Sequence, residues 1–91
     1  MSEVQQEESL IDFPCDFMIK AMGKTDSDFH ENVIEIGHRH DPKFNLTRVT
    51  SRESKNGTYT SLSVTVYAEN KPHLDKIYQD LFDNEHVLWA L

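Results

Sequence analysis

The sequence predicts an α+β domain in which one four-stranded antiparallel sheet carries two helices on a single face. Three observations point there. Tyr59 to Ala68 alternates apolar and polar side chains without a break, the period of a strand with one buried face. Phe29 to His40 and Leu74 to Phe82 instead repeat their apolar residues at the three-to-four spacing of a helix. Asn56-Gly57 separates two β-rich runs, and both residues tolerate the positive φ that a tight type I′ hairpin turn requires.

In chain order, residues 1–12 are polar and acidic without periodicity, which predicts a mobile tail, and residues 13–91 form a single domain. Pro14 biases its neighbour toward extended backbone. From Asp16 to Met22 the chain alternates, with Phe17, Ile19 and Ala21 on one face and Met18, Lys20 and Met22 on the other, as a first strand. Gly23-Lys24-Thr25-Asp26 breaks it, and Asp26 or Ser27 can cap the helix whose stripe is Phe29, Val33, Ile36, Gly37 and His40. Asp41-Pro42 ends that helix.

Asn45 to Ser54 is rich in Thr and Val yet polar, as suits an edge strand. In the third strand, Leu62, Val64, Val66 and Ala68 face inward, while Tyr59, Ser61, Ser63, Thr65 and Tyr67 face outward. Asn70 and Pro72 supply a cap and a first-turn proline for the second helix, with stripe Leu74, Ile77, Tyr78, Leu81 and Phe82. Val87 to Leu91 is short and apolar, as suits a last strand returning to the sheet. Right-handed crossovers place the strands in the order 4-1-3-2, the split βαβ arrangement called ferredoxin-like. The expected core is Phe17, Ile19, Leu62, Val64 and Val66 under the two helix stripes.

Composition narrows the possible functions. The 91 residues suffice for one core. No apolar run approaches the ~18–20 residues of a membrane span, and the start MSEVQQEES is acidic where a secretory signal would be basic and then apolar, so the expected location is the cytoplasm. Cys15 is the only cysteine, which rules out an intrachain disulfide, a CxxC pair and a four-cysteine iron–sulfur site. The net charge of −7 is unevenly spread: five acids precede Lys20, and from residue 17 onward eleven acids face nine bases. The folded body is nearly neutral, so the total charge says little about any one surface.

Several short pieces occur together in fixed order: Phe13-Pro14, Lys20-Ala21-Met22-Gly23, Arg39-His40 with Pro42 after it, Ser54 with Gly57, Tyr59 and Ser61, and Tyr78 with Leu81. In this they resemble the YbeD-like family, small bacterial proteins of unknown function. The resemblance implies a ferredoxin-like fold similar to the ACT regulatory domains, which bind small effectors at subunit interfaces, and implies no established activity. The longer acidic start and Lys55-Asn56 before the turn glycine depart from the family pattern.

The residues offer little for catalysis or a cofactor, and none is expected. His38 and His40 point about 200° apart on a helix and cannot share a tetrahedral metal, whereas basic groups at a helix C-terminus suit its dipole. Cys15 beside Pro14 has no identified base or oxyanion donor. Asp80 and Asp83 read as a solvated helix face. The loop after the first strand holds one lysine and two aspartates between Gly23 and Asp28, a poor phosphate cradle for an acylphosphatase-like enzyme. An RNA platform would use aromatic residues on both central strands, but only the third strand has them, in Tyr59 and Tyr67.

The open sheet face is the expected contact surface, with Lys20, Arg48, Arg52, Tyr59, Ser61 and Tyr67 as candidate binding residues. Cations amid hydroxyls suit a protein partner or a small polar or anionic effector, and they also suit an ordinary solvated sheet face. The apolar last strand offers an edge for homodimerisation, or else Trp89 anchors it under a helix. The reading is a non-enzymatic binding or regulatory module. A nucleic-acid-binding protein and, behind it, a small enzyme are the alternatives.

Overall fold

The computed structural model describes residues 11–91, so most of the expected acidic tail lies outside the described residues. The elements are β1 (Cys15–Lys24), α1 (Phe29–His40), a 3-10 turn (Leu46–Arg48), β2 (Val49–Glu53), β3 (Tyr59–Ala68), α2 (Lys71–Phe82) and β4 (Trp89–Ala90). The sheet order is β2-β3-β1-β4, the expected order read from the other edge, with all neighbours antiparallel. This is the ferredoxin-like arrangement. No helix among the described residues is long and apolar enough to cross a membrane.

β1 and β3 pair along their whole length, from Cys15 opposite Ala68 to Lys24 opposite Tyr59. That register puts Ile19 and Ala21 on the same face as Leu62, Val64 and Val66, and all five are buried. Phe29, Val33 and Ile36 of α1 and Leu74, Ile77 and Leu81 of α2 close the core from above. Phe17 sits at its margin instead, half-buried and edge-to-face with Tyr78 at 6.5 Å between ring centroids.

Gly23 does not interrupt β1. It lies inside the strand because the Phe29 ring rests against it: an added Cβ would fall 2.3 Å from that ring and 2.5 Å from the His86 carbonyl. The first turn of α1 is held by Ser27, whose Oγ accepts from the Phe29 amide at 3.1 Å and donates to the Lys24 carbonyl at 2.7 Å. At α2, Asn70 caps the helix by accepting from the His73 amide at 2.8 Å, and His73 Nδ1 reaches back past the cap to accept from the Glu69 amide at 3.1 Å.

Two local expectations change. The strand expected from Asn45 begins only at Val49, because Asn45 caps a 3-10 turn by accepting from the Thr47 amide, which carries Arg48 out of the strand. The hairpin keeps the register of a two-residue turn, but its ladder stops at Ser54 opposite Tyr59, where the Ser54 amide donates to the Tyr59 carbonyl. The next pair does not form, since the Thr58 carbonyl accepts instead from the Thr25 amide at 2.9 Å. Gly57, at φ +75°, closes the turn by donating to the Ser54 carbonyl.

Candidate functional site: the open sheet face

The same register that builds the core sorts the opposite face into rows. Lys20 lies opposite Ser63, which lies opposite Thr50; Met22 lies opposite Ser61, which lies opposite Arg52. On the other side of β1, Trp89 is paired with Met22, and Leu91 exchanges both backbone hydrogen bonds with Lys20, at 2.7 and 3.0 Å. Met18 opposite Thr65 forms a further row. Ala90, between Trp89 and Leu91, pairs with Ala21 and is buried, so its two neighbours point to the open side.

The result is a face with two halves. Along β4 and β1 run exposed apolar side chains: Met18 is 66% exposed, Leu91 73% and Trp89 38%. Along β3 and β2 run Ser61, Ser63, Thr65, Thr50 and Arg52. Lys20 stands between the halves. The carboxylate that β1 adds to this face, Asp16, is taken by Arg48 at 3.1 Å. Among the described residues no ion pair is formed by Lys20 or Arg52.

The six candidate residues therefore do not form one cluster. Lys20, Ser61 and Arg52 lie in adjacent rows near the centre. Tyr59 stands at one end opposite Lys24, and Tyr67 at the other opposite Asp16. Arg48, outside the strand and paired with Asp16, is a corner residue. Alternation along β1 already placed Met18 and Met22 on this face, but sequence reasoning missed the β4 part of the apolar half because Trp89 was expected to serve an edge or to sit under a helix. The signal was present in the alternation of Trp89, Ala90 and Leu91 around one small residue.

Beside Tyr67 lies a pocket of about 350 Å³ whose lining includes Asp41, Lys43, Arg48 and Glu69. Asp41 is buried, and its carboxylate is fully engaged: Oδ1 accepts from the Lys43 amide at 3.0 Å and Oδ2 from the Tyr67 amide at 3.0 Å. β2 begins opposite Val64, so the β3 amide at Tyr67 lies beyond the reach of its ladder, and Asp41 supplies the missing acceptor. With Asp16 and Arg48 paired to each other, Lys43 and Glu69 are the other charged residues of its lining.

A second polar cluster ties the helices together. His40 Nε2 lies 2.6 Å from Asp80 Oδ2, Arg39 Nη1 lies 3.4 Å from the same oxygen, and Lys76 approaches Oδ1 at 4.0 Å. Asp80 thus faces α1, not solvent as its spacing suggested, and its side chain is only 15% exposed. Burial pushes the Asp80 carboxyl up, but the hydrogen bond and charge of His40, with Lys76 and Arg39, outweigh it and hold the group below its ordinary value. The His40 and His73 rings lie 5.4 Å apart. Among the described residues no three His, Cys, Asp or Glu side chains gather as a metal site would require.

Comparison with known proteins agrees with this architecture. A family described as "Protein of unknown function (DUF493)" matches residues 8–91. A UPF0250 protein of Paraburkholderia phymatum is 53% identical over 81% of this chain and 83% of its own length. One from Nitrosomonas europaea is 44% identical over 93% of this chain and 98% of its own. The solution structure of protein HP0495 from H. pylori superposes with a TM-score of 0.67 at 22% identity, covering 89% of this chain and 85% of that one, a likeness of fold. With a family match over nearly all of its length and relatives this similar end to end, the chain belongs to the DUF493, or UPF0250, family of small bacterial proteins.

Proposed function

We propose that this protein is a non-enzymatic binding module that holds a protein partner on its open sheet face. The observation that supports the reading is the closeness of exposed apolar side chains to uncommitted cations: Leu91 lies in the row of Lys20, Trp89 in the row of Arg52, and Met18 in the row beyond Lys20. A sheet that buries one face under two helices normally clothes the other in polar groups. Here the polar clothing covers half, and the remainder has the apolar centre and charged border of a contact surface.

The test places a photocrosslinking amino acid in the full chain, in place of Met18 or, as a control, in place of the exposed Glu31 on α1. Irradiation of living bacteria is expected to give a discrete adduct from position 18 that disappears when Lys20→Glu and Arg52→Glu are combined. Adducts from position 31 with none from position 18 would remove the open face from consideration.

A further inference from the structure

We infer that the occupant of the open face is an acidic amphipathic helix of a partner protein. This deepens the binding-module reading and rests on it.

The geometry of the face comes first. Its four strands span about 15 Å across, wide enough to seat one α-helix of about 10–12 Å diameter. A segment lying across side chains, not along a strand edge, finds no backbone partners there and must satisfy its own amide groups, which a helix does internally. The fold already treats the opposite face in this way, with α1 and α2 laid on the sheet. A third helix would complete the second layer.

The chemistry of the face sets the composition of that helix. Met18, Met22, Trp89 and Leu91 call for bulky apolar side chains along one stripe, and the unbranched methionines adapt to more than one packing partner. Lys20 beside this stripe and Arg52 across the sheet call for carboxylates on the flank facing β2. The carboxylate that β1 adds to this face, Asp16, is offset by Arg48 at 3.1 Å. On a chain whose net charge is −7 the strands place one acid, Asp16, on this face, and the others lie on the helices, in the connections, near the N-terminus or, as Glu53, on the opposite side of β2.

The side chains also separate this occupant from RNA. Base stacking needs flat aromatic faces on neighbouring strands. Here β1 contributes methionines, and the aromatic residues are dispersed: Tyr59 and Tyr67 stand at opposite ends of β3, and Trp89 stands at the far edge. Lys20, Lys24 and Arg52, the strand cations of this face outside ion pairs among the described residues, are also few for a phosphate backbone.

The experiment titrates the isotope-labelled full chain with three probes and follows its amide and indole NMR signals. The first probe is a sixteen-residue glutamate–leucine peptide with leucines at i, i+3, i+4 and i+7; the second replaces its glutamates with lysine; the third is a uridine ten-mer. The inference expects the glutamate–leucine peptide to shift Met18 to Met22, Ser61 to Thr65 and the Trp89 indole, and to gain helicity on binding. Lys20→Glu with Arg52→Glu should weaken it at least tenfold, with the melting temperature of the protein unchanged. Shifts confined to α1 or α2, equal binding of the lysine–leucine peptide, preferential binding of the RNA, or coverage of the face by a second copy in sedimentation would each overturn it. A position-18 adduct in cells, combined with a silent face toward the glutamate–leucine peptide, would overturn this inference alone and leave the binding module standing.

Discussion

Asp41 shows how much one side chain can decide in a domain this small. A buried carboxylate is costly unless its oxygens are satisfied, and here both are, by the amides of Lys43 and Tyr67. Removing them leaves two part-buried donors unpaired, so Asp41→Ala should lower stability by about 2 kcal/mol. Asp41→Asn keeps one acceptor oxygen and should recover about half. Urea unfolding of the two variants checks this, and an Ala variant as stable as the parent would show that the loop after α1 does not depend on Asp41. Asp80 makes a different prediction, about pH. Its carboxyl is held below the ordinary value, so its stabilising contribution is complete above that value and fades as pH falls through the lower folded one. Asp80→Asn should therefore be less stable than the parent at neutral pH, with the difference in urea midpoint narrowing as the pH falls below the ordinary carboxylate range. A difference that widened on acidification would contradict the assigned partners.

At the scale of elements, the helices and the central strands carry their own instructions, and the connections do not. α2 begins where its cap dictates, and Asn70→Ala should cost about 1 kcal/mol by releasing the His73 amide, a loss that thermal unfolding would register. The hairpin loop has a similar sensitivity. Gly57 at φ +75° has no close neighbour that a Cβ would strike, so Gly57→Ala should cost about 1 kcal/mol through backbone conformation alone. A neutral result in denaturant titration would mean that the turn relaxes. The element least legible in the sequence was β4. Its two-residue strand owes its place to backbone bonds with β1, with Leu88 donating to the Met22 carbonyl and Leu91 bonded both ways to Lys20. A run this short holds too few residues for its alternation to stand out from a generally apolar end.

At the scale of the whole molecule, charge and apolar surface are distributed separately. The two helices are braced by Arg39–Asp80 and His40–Asp80, and α2 carries Lys71–Asp75 along its own surface, while the open face keeps Lys20 and Arg52 for other use. Such exposed cations contribute little to folding, so Lys20→Glu with Arg52→Glu should change stability by no more than about 0.5 kcal/mol. Calorimetry of that double variant separates a loss of contact from a loss of fold. A marked drop in melting temperature would return both residues to a structural role.

The sequence by itself determined the order of the elements, the strand order and most of the core, although Phe17 lies at its margin, Phe82 is exposed and the buried Phe44 was not expected. Each of these follows from local periodicity and from the handedness of connections, which neighbouring residues specify. Val64 and Ile19 are buried because their own strands alternate. The tertiary structure alone decided where Arg48, Asp80 and Trp89 point. Arg48 left the strand for a 3-10 turn capped from Asn45, Asp80 met His40 forty residues away in sequence, and Trp89 took its face from a backbone register with β1. These are contacts between distant segments, and no window along the chain contains both partners. The candidate surface was partly legible for the same reason: Met18, Met22 and the polar half lie on strands whose alternation is long, and Trp89 and Leu91 were added by pairing.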